Sequence, residues 1–164
     1  MTLRIALLCA ALLAAALLAA APTHASAASL VVRVSGVAVG QGPVFVGLCD
    51  RALDRETCPI GEFKRASGST LSFRFDGVRP GRWAVAAYQD LNRNGVLDTQ
   101  PILLWQLPSE PYGFSNDVGR FSPPTFDGAA FELPASGGTV SVRLARLPLD
   151  DEDAVQQAIE RQSR

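Results

Sequence analysis

"RWAVAAYQDLNRNGVLD", Arg82 to Asp98, carries two patterns in succession. Through Gln89, Trp83, Val85 and Ala87 alternate with Ala84, Ala86 and Tyr88. That is the period of two expected of a half-buried strand, not the 3.6 of a helix. The strand then runs without a break into Asp90-x-Asn92-x-Asn94-Gly95-x-x-Asp98. This is the spacing of oxygen-bearing side chains in loops that wrap calcium: ligands at the first, third and fifth positions, glycine at the sixth, and a backbone carbonyl, here of Val96, at the seventh. An EF-hand sets such a loop between two helices. A strand enters this one, and the twelfth position is Pro101, which has no carboxylate to give. The EF-hand fold is therefore excluded, and the stretch reads as β-structure with a polar loop at its end.

The same period recurs outward from this point. "SLVVRVSG" sets Leu30, Val32 and Val34 against Val31, Arg33 and Ser35, and "PVFVGLCD" sets Val44, Val46 and Leu48 against Phe45 and Cys49. "TLSFRFDG" places Leu71, Phe73 and Phe75 on one side, and "AAFEL" and "TVSVRLA" complete the set, with Val140, Val142 and Leu144 inward. Turn residues punctuate these runs: Gly40-Gln41-Gly42-Pro43, Asp76 to Gly81, and Ser136-Gly137-Gly138. Short strands at this spacing predict an all-β fold, an antiparallel β-sandwich with immunoglobulin-like or transthyretin-like topology.

Two segments depart from the pattern. Thr99 to Asp127 is long and rich in Pro, Gly and aromatic residues, and Tyr112, Phe114, Phe121 and Phe126 argue against disorder. It reads as a long ordered loop packed over one end of the sandwich. "LDDEDAVQQAIERQSR", residues 149–164, begins with acids and ends with arginines, with Val155 and Ile159 one turn apart, and predicts a short C-terminal helix.

The chain opens with Arg4 before an apolar run rich in Leu and Ala, then Ala25-Ser26-Ala27. This is the pattern of a signal peptide, residues 1–27, with cleavage expected after Ala27. The expected organisation is thus a signal peptide at 1–27, a β-sandwich domain at 28–147 and a tail at 148–164, in a periplasmic or secreted protein. No later segment is apolar enough to span a membrane. Cleavage would remove Arg4, His24 and Cys9, leaving 137 residues (164 less 27), with 14 basic side chains (15 less Arg4) against 16 acidic ones. That balance offers no basic footprint for nucleic acid. Cys49 and Cys58 survive cleavage, and in an oxidising compartment a pair so close across a polar loop is expected to form a disulfide.

Two readings of the polar loop stand side by side. Asn94-Gly95 between apolar runs is a strong hairpin signal without any metal. A two-residue turn, however, does not require oxygens at 90, 92 and 98 as well. The ion-binding reading takes calcium as the cofactor, in a structural role, with Asp90, Asn92, Asn94, the Val96 carbonyl and Asp98 as ligands. Glu110, in "PSEPYGFSND", is the candidate for the missing carboxylate.

"VRPGRWAVAAYQDLNRNGVLDT", "PSEPYGFSND", "SPPTFDGAAFEL" and "TVSVRL", in this order over Ser29 to Leu144, resemble the bacterial domain-of-unknown-function family 2141. The resemblance implies a small exported β-sandwich with no established activity. Its pattern falls on Asp90, Asn92, Asn94, Gly95 and Asp98, and on Glu110, Tyr112, Gly113, Phe114, Ser115 and Asn116. The chain departs from it in the Cys49 to Cys58 insert and in "PILLWQL", which leaves open the path from the loop to Glu110.

The functional expectation is a non-enzymatic envelope module, with Trp105, Tyr112, Phe114, Ser115 and Asn116 as a candidate surface for a protein or glycan partner. Catalysis is disfavoured because the chain beyond residue 27 holds no histidine. "GFSND" also lacks the Gly-x-Ser-x-Gly elbow. A weak carboxylate-based hydrolase and an accessory subunit of an envelope assembly are the alternatives.

Overall fold

The computed structural model describes residues 27–102, 105–119 and 123–146. The expected signal peptide and the expected tail helix lie outside the described residues. So do Phe121 and the side chain of Trp105.

Among the described residues ten strands follow one another: β1 (Ala28–Ser35), β2 (Pro43–Cys49), β3 (Ile60–Arg65), β4 (Thr70–Val78), β5 (Gly81–Gln89), β6 (Thr99–Ile102), β7 (Trp105–Pro108), β8 (Tyr112–Phe114), β9 (Phe131–Leu133) and β10 (Gly138–Arg143). A single helical turn, α1 (Phe126–Ala129), precedes β9, and its Thr125 cap accepts from the amide of Gly128. One sheet has the order β10-β1-β4 and the other the order β3-β2-β5-β8, with β9 also pairing β5. The fold is an all-β sandwich.

The alternation read from the sequence is what builds its core. Leu30, Val32, Val34, Leu71, Phe73 and Phe75 from one sheet meet Val44, Val46, Leu48, Trp83 and Val85 from the other in a single buried cluster. Burying side chains of this size stabilises by about 1.5–3 kcal/mol each. The indole nitrogen of Trp83 still donates to the Arg79 carbonyl at 2.8 Å, so no polar atom of that ring is stranded in the core.

The expectation of antiparallel pairing fails at one place. β1 and β10 run parallel, Leu30 aligned with Gly138 and Val34 with Val142. No hairpin joins these two strands, so no turn dictates their sense, and almost the whole domain serves as their crossover.

A second correction concerns Thr99 to Asp127, which is not one long loop. It contains the β6-β7 hairpin, with Thr99 opposite Pro108 and Gln100 opposite Leu107, then β8, a 3-10 turn at Ser115–Asp117 and α1. Four-residue strands interrupted by Pro101 and Pro108 carry too little alternation to be seen as strands. They form a separate two-stranded ribbon, where a proline's missing donor costs least.

β8 also joins the two sheets. Tyr112 pairs with Tyr88 of β5, and its amide and carbonyl exchange bonds with Ala145, just past β10, at 3.1 and 3.0 Å. Gly113 makes the approach possible: a β-carbon there would lie 2.2 Å from the Arg143 carbonyl oxygen. The Cys49–Cys58 disulfide is present and ties the end of β2 to the segment leading into β3.

Candidate functional site

The candidate loop begins where β5 leaves the sheet. The Gln89 amide donates to Pro111 and the Asp90 amide to Pro43, both at 2.9 Å, so the last residues of the strand are held from both sides. Asp90 is 1% exposed. Its Oδ1 accepts from the Asn94 amide at 3.1 Å and its Oδ2 from the Gly95 amide at 2.7 Å. The chain therefore curls around this carboxylate. Closing so small a ring needs left-handed backbone, found at Arg93 (φ 64°) and Gly95 (φ 81°), and glycine takes that conformation without steric cost.

Within the curl, the amide oxygen of Asn92 accepts from the Asn94 amide at 3.1 Å, and that of Asn94 accepts from the Val96 amide at 2.9 Å. Both side-chain nitrogens turn to Asp98: Asn92 donates at 2.5 Å, and Asn94 at 3.0 and 3.1 Å to the two carboxylate oxygens. The Tyr88 hydroxyl donates to the Gly95 carbonyl at 3.1 Å from the outer face of β5. Asp90, Asn92, Asn94 and Asp98 are thus gathered in one bonded group, as their spacing suggested.

Glu110 joins them from a distance in sequence. It is 5% exposed, and its two oxygens accept from Leu91 at 2.7 Å and from Asp98 at 3.1 Å, one amide at each end of the loop. The departure at "PILLWQL" does not break this contact, because its described residues lie in β6 and β7, which pair with each other. The amide of Ser109 donates to the Asp98 carbonyl at 2.9 Å, closing the hairpin at its base and returning the chain to the loop.

Chemically, the carboxylates of Asp90, Asp98 and Glu110 each bond to this loop, beside two side-chain amides and the loop carbonyls. No lysine or arginine among the described residues pairs with any of the three. The donors are all oxygen, which suits a hard cation and not a soft one. Among the described residues no group of three or more His, Cys, Asp or Glu side chains forms a metal cluster. A cation at this loop would therefore draw on amide and carbonyl oxygens beside the carboxylates.

The expected binding surface is placed differently. Ser115 is fully buried. Its hydroxyl accepts from the Val85 amide at 2.9 Å and donates to the Ala129 carbonyl at 2.6 Å. It fills the gap in the β5 ladder between the stretch paired with β9 and the stretch paired with β8. Tyr112 is buried too, its hydroxyl donating to Gly119 at 2.7 Å. Phe114 is half-buried, packed with Cys49, Ala84, Ala129 and Val118. Asn116 is exposed, but its amide nitrogen donates to the carbonyls of Gly128 and Ala130 at 3.0 Å each, which fastens α1. Tyr112 and Ser115 are thus interior and serve the fold, contrary to the expectation that they form a surface. The physical reason is that β8, though last in its sheet, has its outer backbone edge covered at Tyr112 by Ala145, while Ser115 is drawn between β5 and Ala129.

Gln89 was missed. It is fully buried, and its side chain accepts from the Ala38 amide at 2.9 Å and donates to the Ala38 carbonyl at 2.8 Å and to the Gln41 carbonyl. The signal was present in the alternation, since Gln89 continues the inward series Trp83, Val85, Ala87.

No curated protein and no solved structure matches the chain. Residues 32–142 match the family described as an uncharacterized protein conserved in bacteria, DUF2141. That span runs from within β1 to within β10 and takes in the whole loop together with Glu110, so the chain belongs to this family.

Proposed function

We propose that the protein is a non-enzymatic module of the bacterial periplasm or exterior whose 90–98 loop takes calcium in a structural role. In that role it would serve as a binding or structural component of the envelope, with a protein or glycan as its partner. The ligands proposed are the side chains of Asp90, Asn92, Asn94 and Asp98 and the carbonyl of Val96. Glu110 shapes the loop from beneath and adds its charge. The observation that carries this reading is that Asp90, Asp98 and Glu110 all bond to this one loop and that none of them pairs with a lysine or arginine among the described residues. A bound calcium would supply charge compensation and tie the end of β5 to the start of β6.

A catalytic reading gains little from the same groups. The Ser115 hydroxyl is committed between two backbone groups. Each oxygen of Asp90 and of Glu110 already accepts a backbone amide.

The test is thermal unfolding in calcium and in chelator. With two or three carboxylates the dissociation constant should fall near 10⁻⁴ M, in the range of extracellular modules. At about 1 mM calcium that stabilises the fold by roughly 1.4 kcal/mol, a rise of a few degrees in Tm. Asp98→Ala should abolish the rise. Equal Tm values in calcium and in chelator would refute the proposal.

A further inference from the structure

The outer face of the larger sheet carries a row of rings that the cation loop does not explain. Phe63 of β3, Phe45 of β2 and Tyr88 of β5 lie in register across three strands. The Phe45 and Tyr88 rings are 5.0 Å apart and 7° from parallel, and the Phe45 and Phe63 rings are 5.3 Å apart at 29°. Neighbouring strands are about 4.8 Å apart. Rings at that spacing and nearly parallel stand on edge, each stacked against the next, and the ring at the β3 end of the row has no further strand of the sheet beside it. That ring is Phe63, 62% exposed, on the strand that ends the sheet.

We propose that the free edge of β3 pairs with β3 of a second copy of this chain, antiparallel about a two-fold axis through Phe63. The stack then continues through two Phe63 rings to Phe45 and Tyr88 of the other copy. The strand's charges select this partner and this register. In "IGEFKR", residues 60–65, Glu62 and Lys64 flank Phe63. With Phe63 opposite Phe63, each Glu62 faces a Lys64, and each Arg65 faces a Gly61, which has no side chain to crowd it. A shift of two residues in one direction sets Lys64 against Lys64, and in the other Glu62 against Glu62. A shift of one residue turns the rings to the opposite face. Opposite charges directly across a strand pair attract and like charges repel, so only one register satisfies both the rings and the charges. Within the chain, Lys64 donates to the Ser72 carbonyl at 2.7 Å and lies 3.6 Å from Glu62. Both side chains are 38% exposed, within reach of a partner strand.

Sedimentation velocity over a concentration series tests the pairing. The protein should show a monomer–dimer equilibrium. Lys64→Glu and Glu62→Lys should each weaken it by about tenfold, since each replaces the two attractive pairs with like-charged ones. An equimolar mixture of these two variants should recover the dimer as a heterodimer, because one then carries only acids and the other only bases at the paired positions. Phe63→Ala should also weaken the dimer, and circular dichroism of each variant would verify that the sandwich is intact. A protein that stays monomeric at millimolar concentration would overturn the proposal. So would a dimer indifferent to both charge reversals, or a mixture that fails to pair.

Discussion

Glu110 is a charged residue set almost out of solvent, and what it does there follows from its two oxygens. Each accepts one backbone amide, and the two amides belong to the two ends of the 90–98 loop. A hydrogen bond to a charged acceptor contributes about 1.5–3 kcal/mol. Glu110→Gln keeps the shape but turns a donor group toward one of the amides, and should cost about 2 kcal/mol by chemical denaturation. The calcium-dependent rise in Tm should shrink in the same variant, because the loop's two ends are then no longer held. An unchanged denaturation midpoint would show that the clamp contributes nothing. This role was only half legible in the sequence. Glu110 stood out as the missing carboxylate, but nothing in the local pattern shows that its oxygens meet amides from a segment twelve to nineteen positions earlier.

β1, β2, β4, β5 and β10 announced themselves, since one buried and one wet face imposes alternation over six to nine residues, as in β4 and β5. β3 did not, because its two large apolar residues, Ile60 and Phe63, fall on opposite faces. Nor did three of the shorter elements. β6, β7 and β8 have four, four and three residues, and their pairing is decided by partners remote in the chain. The β6-β7 hairpin illustrates the difference. It forms its own two-stranded sheet, and its base is already joined by the Ser109–Asp98 bond. Replacing residues 99–108 by a short Gly-Ser link should therefore leave the rest intact: Tm within a few degrees, and the calcium response retained. Loss of folding would mean instead that the ribbon is part of the core.

Across the molecule, the two sheets are joined by more than their shared apolar filling. β8 pairs with β5 on one side and reaches the end of β10 on the other, so one side of the sandwich is stitched by backbone bonds. Gly113 sits at that stitch. Gly113→Ala would force a methyl group into the Arg143 carbonyl, and overlap with backbone cannot be relieved by a rotamer change. The variant should lose about 3 kcal/mol in equilibrium unfolding, whereas Gly77→Ala, with open space around it but a positive φ, should lose closer to 1 kcal/mol. Equal losses at the two positions would argue against the seam. Sequence alone could not distinguish these glycines, because the neighbour that matters at Gly113 comes from β10, a strand that is not its neighbour in sequence.

The parallel partnership of β1 and β10 governs when the molecule can assemble. Leu30 must wait for Gly138, and Val34 for Val142, so β1 acquires one of its two neighbours only once β10 has been made. Contacts of such long sequence separation make folding slow and late. Until β10 is made, β1 has only β4 beside it, so the smaller sheet is a two-strand ribbon with one bare backbone edge.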